Sequence, residues 1–169
     1  DESIKLIRTY WTDEEVNFQG EFYTANAMAM EPKSPQGSKL PIWIGGTSNA
    51  ALRRVAELGD GWLATAIEDV DVAKSFIQRI HEHAESIGRN PNDIGMQMML
   101  DVPPRDEAGK QFYKHADNVL ARAEAVKSAG FEWGALNATA MFQAGYKSVD
   151  ALVDQLAVLH DALRAHLGK

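Results

Sequence analysis

The sequence predicts an α/β fold built around a parallel sheet, and three observations carry that prediction. From Pro41 onward, short apolar runs alternate with longer amphipathic stretches in the order βαβαβαβα. The first run is apolar throughout, as suits a strand covered on both faces. The first, second and last amphipathic stretches begin at Ser, Thr or Asp and the first three end at Gly, the residue types that start and stop helices.

The elements follow in chain order. Ile4, Ile7 and Trp11 recur at helical spacing and predict a helix end over 3–11. Val16 to Tyr23, with Gln19-Gly20 between apolar positions, reads as a small hairpin. Residues 24–40 read as a loop punctuated by Pro32, Pro35 and Gly37. Ile42-Trp43-Ile44 is the first strand of the regular part. Thr47 or Ser48 caps a helix that buries Ala51, Leu52, Val55 and Leu58 and stops at Gly59. Gly61 to Ala64 is the next strand. Asp69 or Asp71 caps a helix with Val72, Phe76, Ile80, Ala84 and Ile87 on one stripe, closed by Gly88 and Pro91. Ile94 to Val102 is the third strand, bounded by Pro103-Pro104. A long helix then turns Phe112, Ala116, Val119, Ala123 and Val126 inward and ends at Gly130. Gly134 to Ala138 is the fourth strand. Ser148 caps a last helix whose stripe is Val149, Leu152, Val153, Leu156, Leu159, Leu163 and Leu167. Residues 1–40 thus hold a helix end, hairpin and loop, and 41–169 hold four βα units within one domain. The pattern suits an open doubly wound sheet and half of a (β/α)8 barrel equally.

Composition narrows the function. A net charge of −7 with no basic cluster argues against nucleic-acid binding. No run is long and apolar enough for a membrane span. With no cysteine, thiolate metal sites and thiol nucleophiles are excluded, and a reducing cytoplasm fits. Asp1-Glu2-Ser3 reads as the middle of a helix, so the chain is expected to start inside a larger protein. His81, His83, His115, His160 and His166 fall on expected helices at spacings that suit no metal. Neither a nucleophile set nor a paired-carboxylate site emerges, so no catalytic residue is assigned.

The informative segment is Pro41-Ile42-Trp43-Ile44-Gly45-Gly46-Thr47-Ser48. A buried strand ends in two glycines and two hydroxyls, and a helix begins. Unpaired amides at a helix start carry partial positive charge, and glycine lets an anion approach the backbone. Gly45, Gly46, Thr47 and Ser48 are therefore the candidate anion site. A Gly-Gly pair also serves simply to turn the chain. Asp101, Asn137 and Thr139 fall at expected strand ends, where barrel enzymes place functional groups. A loop-capping role for Asp101 is the plainer reading. Of Met96, Met98 and Met99, alternate members are expected to face the helices and the barrel interior.

Trp11-Thr12, Val16-x-Phe18-x-Gly20-x-x-Tyr23, Pro32, Pro41 to Gly46, Ala51 to Trp62 and Gly88-Arg89-Asn90-Pro91 together resemble the luciferase-like monooxygenase family. The resemblance is specific over 1–95 and rests on element order beyond. It implies a (β/α)8 TIM barrel of about twice this length, of which this chain would be the C-terminal half with a small insertion hairpin. It implies an oxidoreductase using FMN with oxygen or coenzyme F420 for hydride transfer. A small organic substrate and a flavin reductase would be its partners. Gly45, Gly46, Thr47 and Ser48 map onto its phosphate turn, and Gly61 and Trp62 map onto its Asp-Gly-Trp. A half-barrel would pair with the absent half or a second copy as a dimer. The alternative is a non-catalytic half-barrel that self-associates or binds phosphate or flavin weakly.

Overall fold

The computed structural model of the chain describes residues 1–101 and 107–168. Val102, Pro103 and Pro104, the expected end of the third regular strand, lie outside the described residues. The chain opens with helix α1 (Glu2–Thr12) and an antiparallel hairpin of β1 (Val16–Gln19) and β2 (Thr24–Met28). The second hairpin strand thus occupies residues expected to be loop. Its turn is drawn closed by a side chain rather than by backbone alone. The Glu2 carboxylate accepts from the amides of Glu21 at 2.8 Å, Phe22 at 3.1 Å and Tyr23 at 2.7 Å.

The regular part is a four-stranded parallel sheet of β3 (Trp43–Gly45), β4 (Gly61–Ala64), β5 (Gly95–Met99) and β6 (Trp133–Ala135). Strand order follows chain order with no reversal. A doubly wound sheet needs such a reversal, so the order selects the partial barrel of the two architectures left open. Between the strands run α2 (Asn49–Leu58), α3 (Val70–Ser86), α4 (Glu107–Gln111) and α5 (Ala116–Ser128), and after them α6 (Ala138–Gln143) and α7 (Val149–Leu167).

Four expectations are corrected. The long helix of the third unit breaks at His115, whose extended backbone (φ −123°, ψ 116°) starts α5 anew. Helix α6 takes residues expected to end a strand, because the Asn137 side chain accepts from the Thr139 and Ala140 amides and starts a turn. The buried stripe of α3 is Ala73, Ile77, Ile80 and Ala84, while Val72 and Ile87 are exposed. In α7, Val149 and Val153 likewise face outward, and Leu159 is the residue fully buried. Gly59 does end α2, but with φ −87°, so it does not serve as a left-handed stop. A Cβ there would lie 3.1 Å from Ile44 Cδ1, and the glycine is needed for close packing.

The sheet has one covered and one open face. Ile44, Trp62, Met96 and Met98 point to the helices and join the core with Leu52, Ile80, Val119 and Leu159. The register Gly45–Leu63–Gln97–Trp133 sets the other face, where Leu63, Met99 and Trp133 are exposed. The methionines thus divide as expected, Met99 alone facing inward.

At the start of the strands that inner face is filled. Trp43, Gly61 and Gly95 stand in register, and the Trp43 indole lies flat across both glycines. A Cβ on Gly61 would sit 2.4 Å from the indole, and one on Gly95 would sit 2.6 Å from it. Asp60 secures the same edge. Its Oδ2 accepts from the Ile42 amide at 2.7 Å and from Arg8 of α1 at 2.5 Å. No described helix is long and apolar enough to cross a membrane.

Gly95→Ala is expected to destabilise the chain by about 1–3 kcal/mol through overpacking. Combined with Trp43→Phe, the loss should be less than additive in urea unfolding, because the smaller ring yields the space. Strict additivity would show that the two sites do not press on each other.

Candidate functional site

The C-terminal ends of the four strands form one rim. At its first corner β3 ends at Gly45, and Gly46 adopts φ 106°, a region side chains rarely enter. Ser48 then caps α2: its Oγ accepts from the Ala51 amide at 3.2 Å, and its carbonyl from Leu52 at 3.0 Å. Gly45, Gly46, Thr47 and Ser48 are all exposed, as are Asn49 and Ala50. The first-turn amides of Asn49 and Ala50 precede the first residue that can bond back within the helix, so they face outward. Arg79 of α3 donates to the Asn49 side chain and brings a cation beside this turn. Sequence reading missed Arg79, because nothing local ties it to a residue thirty positions earlier.

Trp62 holds the turn from beneath. Its ring is fully buried, edge-on to Phe76 with centroids 6.1 Å apart and tilted against Phe131 at 5.7 Å. Its Nε1 donates to the Gly46 carbonyl at 2.9 Å. Trp62 therefore touches the turn through a hydrogen bond and otherwise belongs to the core. Gly61 is not brought to the rim. It lies at the opposite end of β4, buried under Trp43.

The far corner of the rim joins the ends of β5 and β6. Asp101 follows β5 and is 2% exposed, the sole buried polar or charged side chain among the described residues. Its Oδ2 accepts from Asn137 Nδ2 at 3.3 Å, while its Oδ1 has no partner. The hydroxyl of buried Tyr113 stands beside the carboxyl and accepts from the Asn137 amide at 3.0 Å. Burial pushes the Asp101 carboxyl up, and hydrogen bonds from its own amide, Asn137 and Tyr113 offset this only in part. Burial also pushes the Tyr113 phenol up; the Asn137 amide opposes the shift and the Asp101 charge adds to it.

Asn137 and Thr139 do not end a strand. Asn137 caps α6, and Thr139 lies in its first turn. Of the histidines, His115 caps α5 rather than lying within a helix, and His166 meets Glu124 at 2.6 Å across α5 and α7. Among the described residues no three His, Asp or Glu side chains converge for a metal.

Consecutive parallel βα units in unreversed strand order define a partial (β/α)8 barrel of the TIM type. The chain belongs to the luciferase-like monooxygenase family, whose model matches residues 1–141. An F420-dependent glucose-6-phosphate dehydrogenase of Mycolicibacterium gilvum is 28% identical over 102 residues, which are 60% of this chain and 30% of that protein. The chain thus spans under a third of the length of this curated relative. The structure is similar to an F420-dependent secondary alcohol dehydrogenase in complex with an F420-acetone adduct (TM-score 0.73, 17% identity, 96% of this chain and 60% of that one). It is also similar to the long-chain alkane monooxygenase LadA (TM-score 0.63, 15% identity, 90% of this chain and 47% of that one).

Trp62→Phe is expected to cost about 1–3 kcal/mol, since it strands the Gly46 carbonyl beside a buried ring. Ser48→Ala should cost about 1 kcal/mol as a lost cap. Amide exchange at Ala51 and Leu52, which bond back to Ser48, should speed up in both. Unchanged exchange in Trp62→Phe would disconnect the indole from the turn.

Proposed function

We propose that this chain forms the phosphate-holding side of the cofactor site of an F420-dependent oxidoreductase acting on a small organic substrate. One observation carries the reading: the exposed Gly45-Gly46-Thr47-Ser48 turn leads straight into the open amides of α2 at the C-terminal rim. A phosphate fits there on physical grounds. Gly46 supplies a concave backbone with no side chain, and Asn49 and Ala50 supply outward N–H donors. Thr47 adds a hydroxyl, Ser48 keeps the helix start in place, and Trp62 fixes the turn by its bond to Gly46. Gly61 has no part in contact, being covered by Trp43.

The named activity of the curated relative supports deazaflavin over flavin. Bound there, the cofactor would supply hydride chemistry. This chain's residues would bind its phosphate, orient it across the rim and leave the substrate pocket to be completed elsewhere. The exposed inner residues Leu63, Met99 and Trp133 support completion by further βα units, from a longer polypeptide or a second copy. A second reading keeps the same turn and replaces F420 with FMN, giving monooxygenation with oxygen. The family's description favours it.

Fluorescence titration of the full chain with F420 and with FMN tests both. F420 should bind the more tightly. Gly46→Ala should weaken binding about tenfold or more, because it places a side chain in a left-handed conformation. Failure of both ligands to bind at high micromolar concentration would remove the reading.

A further inference from the structure

Asp101, Asn137 and Tyr113 make a closed circuit across the far corner of the rim. Asp101 comes from the end of β5, Tyr113 from the turn before α5, and Asn137 from the end of β6. Asn137 is the hub. Its Nδ2 donates to Asp101 Oδ2 at 3.3 Å and its amide N–H donates to the Tyr113 hydroxyl at 3.0 Å. Its Oδ1 accepts from the Thr139 amide at 3.0 Å and the Ala140 amide at 3.4 Å. Tyr113 is itself anchored, its carbonyl accepting from Gln155 of α7 at 2.6 Å and from the Tyr146 hydroxyl at 3.4 Å.

We propose that Asp101, Asn137 and Tyr113 form a proton-dependent latch that holds the α6 corner to the end of β5 while Asp101 is protonated and loosens it when Asp101 ionises. The groups facing the Asp101 carboxyl explain why. Asn137 and Tyr113 offer it neutral donors, and no described cation strengthens its field. Its Oδ1 has no hydrogen-bond partner at all. A carboxylate charge in this place meets only neutral donors, which offset its burial in part, and water relieves the rest only if the corner opens.

The direction of the pH effect follows from linkage. Burial pushes the folded-state carboxyl above its ordinary value of 3.8, so the folded protein holds this proton more tightly than the unfolded chain. The stabilisation tied to it is complete below that ordinary value and is lost as pH climbs through the higher folded value.

Amide exchange at Thr139 and Ala140, corrected for intrinsic rate, reads the latch in the full chain. Wild-type protection should fall by up to about tenfold per pH unit as pH rises from 3.8 towards the folded value of Asp101, and level off above it. Asp101→Asn, neutral and of the same shape, should hold its protection constant over that range. Tyr113→Phe removes a donor to the carboxylate and should extend the loss to higher pH before it levels off. A flat wild-type profile, or equal slopes in wild type and Asp101→Asn, overturns the latch. Should Asp101→Asn fail to fold, the pH at which Tyr113→Phe levels off decides: displacement upward supports the latch, and an unmoved levelling point overturns it.

Discussion

The bond from Trp62 to the Gly46 carbonyl is the constraint on which the candidate site rests. A tryptophan buried on the helix side of a sheet needs an acceptor for its N–H. Here that acceptor is the carbonyl of the residue that turns the chain from β3 into α2. One hydrogen bond therefore satisfies the core and sets the turn together. The ring is wedged between Phe76 and Phe131, so the turn inherits the rigidity of the interior although it lies on the surface. Loop sites gain precision when their supports are packed in this way.

The two ends of the sheet divide the labour. At the strand starts, Trp43 covers Gly61 and Gly95, and Asp60 ties β3 to α1. At the strand ends, glycine and hydroxyl residues stay open and a lone carboxyl is buried at a cost to stability. In barrel enzymes the first edge carries stability and the second carries function. The described strands show the same contrast between a packed edge and an open one.

How much of this was legible in the sequence varies with range. The Ser48 cap, the β4 strand and the left-handed Gly88 and Gly130 are local matters, and residue type settled them. The parallel order was readable from the alternation of runs. The stripe of α3 was misplaced because Ala73 and Ile77 compete with Val72 and Phe76 at the same spacing, and only packing against α2 chooses between them. The break at His115 was hidden for a similar reason. Apolar spacing continues through it, while the hold on Tyr113 comes from Asn137 and Gln155, far along the chain. Helix α6 was missed because six residues give too little periodicity to read. In the site, the anion turn was visible as composition. The partner of Trp62 and the burial of Gly61 were not, since both depend on which way a ring points across the sheet.

Because neighbours in the sheet are also neighbours along the polypeptide, each βα unit finds its docking surface in the unit made just before it. Loops that close over short separations lose little entropy, so assembly can advance stepwise from β3 to α7 as the ribosome releases the chain. Until the final strand arrives, the growing edge is always the newest one, and its exposure lasts only for the synthesis of the next few dozen residues. An architecture of this order limits the time for which any half-formed sheet offers itself to stray chains.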